Sequence, residues 1–509
     1  MRLPIPASQL TTTGWFGPGL LTSLLLVLGS CAGEPSLAPR VVVLVSMDTT
    51  RADSLSCYAA ESHWGLSFPD DSRPIPATPV VDALAAEGVR FSWAIAHAPT
   101  TLSSHASMFS GRDSHRHGVP RNGYPLPADL PLLPERLQEA GWDTIAVIGS
   151  SALEKKMGLN RGFVAYDDPG PQPPGGMYMR PAAEVTDRAL AAVDARAGDP
   201  DRVGDDLFLF VHYYDPHMPW FTAPEDTVAR FSWPGYDGPV DGSMSSIGFL
   251  TRSRVEGTLR YGDARQARAL YLAQVAYVDA EIGRLLRGLG ERGLDEDSLV
   301  VVTADHGEVL DEDASRPYTH GPSTALEATH VPLVLRGKGR LALPVGVTVT
   351  PVVRLQDLAS TVLGAVGIRE AMGDGLDLAP LWSGRELEIP PAFSEATRPM
   401  NLEQRHKWNN ANLERSVVDG GHQLRVRLME GGLATLHRVA PGSPRVSDVS
   451  RIRAMGQLVK RWDSAAPAWV PPAYDAETRK ALEALGYLDG ADAREVPSAD
   501  GATPIASPR

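Results

Sequence analysis

Cysteine is nearly absent: the 509 residues contain two, Cys31 and Cys57. That count excludes a disulfide framework as what holds the chain together. An excess of positive charge is missing too. Lysine and arginine number 48 against 62 aspartates and glutamates, a formal net charge of −14, so a nucleic-acid partner held by phosphate neutralisation is not expected. The acidity excludes little else, because Asp and Glu also serve solubility. Long apolar runs are wanting as well. The run from Gly19 to Leu28 falls short of the roughly 20 residues that a membrane-crossing helix needs, and has the length of a signal-peptide core.

The end of that run is informative. Leu28-Gly29-Ser30-Cys31 resembles the lipobox of a bacterial lipoprotein, in which the cysteine becomes lipidated and N-terminal after cleavage. The basic region before it is thin, with Arg2 alone, and the plain alternative is a signal peptide that happens to contain a cysteine. Residues 1–31 are therefore expected to direct export. Cys31 is expected to anchor the mature chain to the membrane of the bacterial cell envelope, on its periplasmic or extracellular side. Cys57 reads as a small, at least half-buried residue.

The chain is long enough for one large α/β domain and a smaller appendage. Its 43% hydrophobic and 22% charged residues are ordinary for a globular protein. After a polar linker over 32–39, Arg40 to Met47 is a β-branched apolar run, as in a strand buried on both faces, and it ends at Asp48. Pro79 opens a helix from Val80 to Glu87, stopped by Gly88. Leu207–His212 and Ser298–Thr303 are further buried strands, the latter followed by Asp305. Residues 265–289 carry Tyr271, Val275, Val278, Ile282, Leu285, Leu286 and Leu289 at helical spacing. Val331–Gly337 is another strand, with Pro332 calling for an edge or a bulge.

Such alternation predicts a large doubly wound, mostly parallel sheet flanked by helices over 40–375. A smaller C-terminal α+β subdomain is expected over 376–489. It has antiparallel strands at 422–428 and 434–439, and helices near 447–462 and 475–486. The Ala/Asp/Ser/Pro-rich tail, 490–509, has the composition of a disordered segment. A Pro-rich stretch at 169–181 and a Gly-rich one at 235–248 are expected to line the cleft.

Three segments put acids, histidines or hydroxyls at strand ends. They are Asp48-Thr49-Thr50-Arg51-Ala52-Asp53, Thr100-Thr101-Leu102-Ser103-Ser104-His105, and Asp305-His306-Gly307-Glu308. Ligands of α/β sheets bind at such ends. Asp48, Asp305 and His306 offer two carboxylates and an imidazole, a donor set that suits Ca²⁺, Mg²⁺, Mn²⁺ or Zn²⁺. Taken singly, each segment also has a plain reading as a helix cap.

In order and context these segments resemble the sulfatase family of the alkaline phosphatase superfamily. Ala77-Thr78-Pro79 with Asp82 to Phe91, His115-Arg116-His117-Gly118, Asp215-Pro216-His217-Met218-Pro219 and His330 to Gly337 match further family stretches. The resemblance implies one divalent ion held by Asp48, Thr101, Asp305 and His306. It implies a catalytic group of Thr101, His105, His217 and His320, and an anionic ester substrate, carbohydrate- or lipid-linked. A second ion on Asp215, His217 and His320 is the alternative.

The departures shape the chemistry. Sulfatases carry a Cys or Ser, oxidised to formylglycine, where this chain has Thr101, and oxidising threonine would yield a ketone. Thr101 instead resembles the threonine nucleophile of phosphodiesterases and phosphotransferases in the superfamily. Thr49 stands in place of a second ligating Asp, and His105 in place of the motif Arg. Ile148-Gly149-Ser150-Ser151 replaces the G-K-x-H segment whose Lys and His grip sulfate. A sulfatase working without formylglycine and a non-catalytic binding lipoprotein are the competing readings. His97, His115 and His117 read as hydrogen-bonded scaffolding, and Arg51 with Asp53 as a structural pair.

Overall fold

A computed structural model describes residues 39–62, 74–170, 179–199, 201–202, 205–396, 414–428 and 431–465. The signal segment with Cys31, the helix expected at 475–486 and the tail lie outside the described residues, and so does most of the Pro-rich stretch. Among the described residues, no helix is long and apolar enough to cross a membrane.

The large sheet contains β1 (Val41–Met47), β2 (Val89–Ile95), β3 (Asp143–Ile148), β4 (Ala165–Asp167), β5 (Leu207–Tyr213), β6 (Ser298–Thr303), β7 (His330–Val331), β8 (Leu333–Gly337) and β9 (Val347–Arg354). Its order is β4-β3-β5-β1-β6-β8-β2-β7, with β9 on β2. Every residue of β1 is buried, as its unbroken apolar sequence requires of a central strand. Parallel neighbours β5 and β6 flank it on either side.

The sheet is mostly parallel, but β8 runs antiparallel to β6 and β2, and β7 antiparallel to β2. The chain returns from β6 beside the strand it has just left, and an antiparallel return needs no crossover helix. Pro332 separates β7 from β8 along the same side of β2, the break that its missing N–H predicts.

Helices cover both faces. The longest, Tyr261–Glu291, overruns the expected 265–289 at both ends. It buries Tyr271, Val275, Val278, Ile282 and Leu285 against Val43, Val45 and Leu209 of the sheet. On the other face Thr101–Ser110 is buried along its whole length. The helix near residue 80 spans Pro79–Ala86 with Pro at its first position.

A second sheet is an antiparallel run of β10 (Ala392–Ala396), β11 (Glu414–Asp419), β12 (His422–Arg427), β13 (Leu433–Arg438) and β14 (Arg445–Val446). The helix Val449–Ser464 closes it, setting Met455 and Val459 on Val417, Leu424 and Leu436. Backbone bonds tie this sheet to the first: the Glu395 N–H donates to the His97 carbonyl at 2.9 Å.

Candidate metal and ester site

Strand register builds the site. Ser46 of β1 pairs with Thr303 of β6 on one side and with His212 of β5 on the other. Two residues past Ser46 and Thr303 the parallel strands end together, so Asp48 and Asp305 emerge side by side. Both are fully buried.

Each carboxylate is half satisfied. Asp305 Oδ1 accepts the Thr49 N–H at 3.2 Å and the His306 N–H at 2.8 Å, while Asp305 Oδ2 has no partner. Asp48 Oδ2 lies 3.1 Å from His212 Nε2, and Asp48 Oδ1 has no partner. His306 Nδ1 donates to the Gly307 carbonyl at 3.0 Å, which leaves the Nε2 lone pair free. That atom is buried and unpartnered as well. One ligand atom each from Asp48, Asp305 and His306 falls within 4.8 Å of the other two. Buried polar atoms are normally paired, and an orphan costs about 1–3 kcal/mol. Three orphans converging on one point, two oxygens and an imidazole nitrogen, fit a divalent cation in their midst.

Burial pushes Asp48 up to about 8, against the pull of His320 and of the Thr101 hydroxyl that faces it. Asp305 is driven the same way by burial and then by Asp48. Two like charges this close and dry need an outside cation to stay ionised together.

Thr49 holds the turn between them. Its φ of 51° is unfavourable for a β-branched residue. Two anchors impose it: the N–H bonded to Asp305, and the carbonyl, which accepts the Tyr271 hydroxyl at 2.9 Å. Arg51 forks onto Asp53 through Nε and Nη2 at 2.8 and 2.9 Å and reaches Glu312 at 2.7 Å, the structural pairing its spacing suggests.

Thr101 is the first residue of its helix and 1% exposed. Its neighbour Leu102 gives its N–H to the Asn122 side chain at 2.7 Å. His105, one turn on, is fully buried, with Nδ1 3.8 Å from Asp305 Oδ2. Its Nδ1 donates to the Thr101 carbonyl at 2.7 Å and its Nε2 meets Ser46 Oγ at 3.0 Å. Burial holds His105 well below the usual imidazole range.

His217 and His320 stand together, ring centroids 4.8 Å apart, and His320 is equally close to His306. Their environments pull them apart. His217 donates Nδ1–H to the Met218 carbonyl at 2.5 Å, and burial with the nearby His320 pushes it well down. Burial would lower His320 too, but Glu308, 3.0 Å from its Nδ1, outweighs that and raises it.

Asp215, in the same motif as His217, has one oxygen engaged and Oδ2 buried without a hydrogen-bond partner. Its Oδ1 caps the helix Ala182–Ala197 through the Ala182 N–H at 3.0 Å, and among the described residues no ligand cluster contains it. Of the Gly-rich stretch, Gly235, Tyr236 and Asp237 line a separate cavity with Trp233 and Arg260. His97, His115 and His117 are scaffolding: they bond to the Phe393 carbonyl, Glu395 and Ser107.

Two site residues escaped motif reading. Glu308 was visible only as the last letter of Asp305-His306-Gly307-Glu308. His212 sits near the end of an apolar strand, and only its register beside Ser46 reveals where it points.

The sulfatase family model matches residues 40–368. The chain belongs to the sulfatase family. An ulvan-active sulfatase of Formosa agariphila is 26% identical over 350 residues, 64% of this chain and 64% of that one. This sulfatase-family chain thus spans just under two thirds of that relative's length. Among solved structures, BT4656 in complex with its substrate D-glucosamine-2-N,6-O-disulfate superposes with a TM-score of 0.62 at 17% identity, covering 84% of this chain and 98% of that one. The phosphonate monoester hydrolase of Agrobacterium radiobacter gives a TM-score of 0.60 at 23% identity, covering 84% and 95%. These likenesses establish the fold.

Proposed function

We propose that this sulfatase-family chain is a metal-dependent hydrolase of sulfate or phosphate esters, with Thr101 as its nucleophile. The observation that carries the reading is the set of three buried, orphaned ligand atoms on Asp48, Asp305 and His306, with buried Thr101 opening a helix nearby. A divalent ion bound by Asp48, Asp305 and His306 supplies charge neutralisation for the anionic ester and acidifies a hydroxyl in contact with it. Ca²⁺, Mg²⁺, Mn²⁺ and Zn²⁺ all suit these donors.

The chain's own groups do the rest. The Thr101 hydroxyl gives its proton to solvent as Oγ1 attacks. The helix that Thr101 opens brings the positive end of its dipole to the ester oxygens. That partly replaces the missing Lys and His of the G-K-x-H segment. As Oγ1 bonds to the phosphorus, the leaving oxygen parts with its electron pair and takes the proton that Glu308 maintains on His320. His217, held neutral, orients a polar group of the substrate through Nε2. Environments that push two neighbouring groups in opposite directions are how a site assigns acid and base. Water or an acceptor hydroxyl then resolves the phosphothreonine. His105 positions the Thr101 peptide and does not touch substrate.

The relatives' names favour a carbohydrate-borne ester as substrate. One acts on ulvan, another was solved with a disulfated glucosamine, and a third is a phosphonate monoester hydrolase. We extend the proposal to export and lipid attachment at Cys31, to be checked by the mass of the mature N-terminal peptide. The mechanism is tested with aryl sulfate, phosphate monoester, phosphate diester and phosphonate substrates. Turnover with a trapped phosphothreonine, lost in Thr101→Ala, is expected; sulfate turnover unchanged in that variant would replace the threonine reading with a sulfatase working without formylglycine.

A further inference from the structure

We infer that His212 is a positioning residue that aims Asp48 at the metal. The inference rests on the reading of Asp48 as a ligand and adds to it a residue that no sequence motif marks.

The geometry is specific. His212 is the sixth residue of β5, and parallel pairing sets it beside Ser46, two residues before Asp48. From there its Nε2 lies 3.1 Å from Asp48 Oδ2. An ionised carboxylate only accepts, so Nε2 carries the hydrogen and the ring is the Nε2–H tautomer. With Oδ2 pinned, rotation of the carboxyl is fixed, and Oδ1 is the oxygen left without a hydrogen-bond partner for a ligand set with Asp305 and His306. A ligating carboxylate held by an outer N–H donor is a recurrent device, and losing the donor costs about 10–100-fold in metal affinity.

The ring itself has little freedom. It stands edge-on to His105 at 5.2 Å and tilted to Tyr214 at 6.2 Å. A rival role exists, since His105, His212 and Asp305 can also bring ligand atoms within 4.8 Å of one another. His105, however, has Nδ1 spent on the Thr101 carbonyl and Nε2 on Ser46 Oγ. Ligation there would break one of those bonds, whereas positioning by His212 breaks none.

Glutamine places its amide N–H where Nε2 stands, and asparagine, one carbon shorter, cannot reach Asp48. The test is the Mn²⁺ affinity and stoichiometry of the full-length chain, by competition with a chelator, in wild type, His212→Gln, His212→Asn and Asp48→Asn. Thermal unfolding of each variant is followed in parallel. Asp48→Asn is expected to lose tight Mn²⁺, His212→Asn to bind roughly 10–100-fold more weakly, and His212→Gln to recover most of that loss at unchanged stoichiometry. Equal affinities in His212→Asn and wild type, with Asp48→Asn impaired, would overturn the role of His212 and leave Asp48 a ligand. Wild-type affinity in Asp48→Asn would overturn the ligand reading itself. A fall from two ions to one in both His212 variants would make His212 a ligand and overturn positioning. Should His212→Asn fail to fold, His212→Met replaces it, removing the donor at similar volume.

Discussion

Two buried clusters of acid lie in this molecule and are finished differently. In the C-terminal sheet Glu414 is fully buried, and both its oxygens are taken. Oε1 accepts from Arg425, the Thr324 N–H and the Thr324 hydroxyl, each at 2.9 Å. Oε2 accepts from Arg316 at 2.9 Å and Arg427 at 3.0 Å. At the end of the large sheet Asp48, Asp305 and Glu308 are equally buried, yet each keeps one oxygen without a partner. The nearby Arg51 is spent on Asp53 and Glu312 instead. A cluster that carries its own cations is structural, and it bolts the second sheet to the loop at 324. A cluster that withholds them is compatible with a divalent cation from outside.

The sharpest way to break this contrast is to neutralise a ligand. Asp305→Asn, or removal of metal with a chelator, is expected to lower kcat/KM by about 10³-fold or more, since Lewis-acid stabilisation is worth several kcal/mol. An esterase assay alongside elemental analysis checks it, and full activity without metal would dissolve the distinction.

The same change at the satisfied cluster should act on stability. Glu414→Gln leaves arginines buried without their charge partner and is expected to cost roughly 3–5 kcal/mol in unfolding free energy, with kcat per folded molecule little changed. Burial alone would raise Glu414, but Arg425 and Arg316 overcome that and hold it below the usual carboxylate range. Its contribution is fully present above the unfolded carboxylate value near ~4.3, and is lost as pH falls from there through the lower folded value. Denaturant unfolding followed by circular dichroism should show wild type losing stability across that acid window, and Glu414→Gln should lack this component.

In the metal-free protein above about pH 8, where Asp48 ionises, Asp48→Asn is expected to do the reverse of Glu414→Gln, raising stability by about 1 kcal/mol, because an amide is cheaper to bury than a half-paired carboxylate. A lower Tm for chelator-treated Asp48→Asn would mean that the carboxylate is satisfied without metal. The smallest effect belongs to Tyr271→Phe. Its hydroxyl bridges the Thr49 carbonyl and the Arg51 N–H, and losing it should cost about 1 kcal/mol, read by thermal unfolding, with a several-fold fall in kcat from a loosened Asp48–Thr49 turn.

Much of this was legible in one dimension. The apolar runs of β1, β5 and β6 can be little other than buried strands, and acids just past two of them mark a site edge. Asp48, Asp305 and His306 were recoverable as a cluster compatible with a divalent ion. The hydrogen bonds of His105 were not, because its sequence neighbours say nothing of the Ser46 hydroxyl that meets its second nitrogen. Asp215 likewise shares a motif with His217 but turns to the amide of Ala182. The reversal of β8 also eluded the pattern, since a buried antiparallel strand reads like a parallel one.

The amino-acid order alone dictates which groups are present at the strand ends, and hence that the site is made of carboxylates, imidazoles and a threonine. Hydrophobic periodicity and strand-end position are local properties, carried by consecutive residues. Which groups keep free lone pairs and which spend them is settled in three dimensions. That depends on parallel register, which sets His212 beside Asp48, and on burial, which lowers His217 while Glu308 raises His320. The partners that set both come from distant parts of the chain.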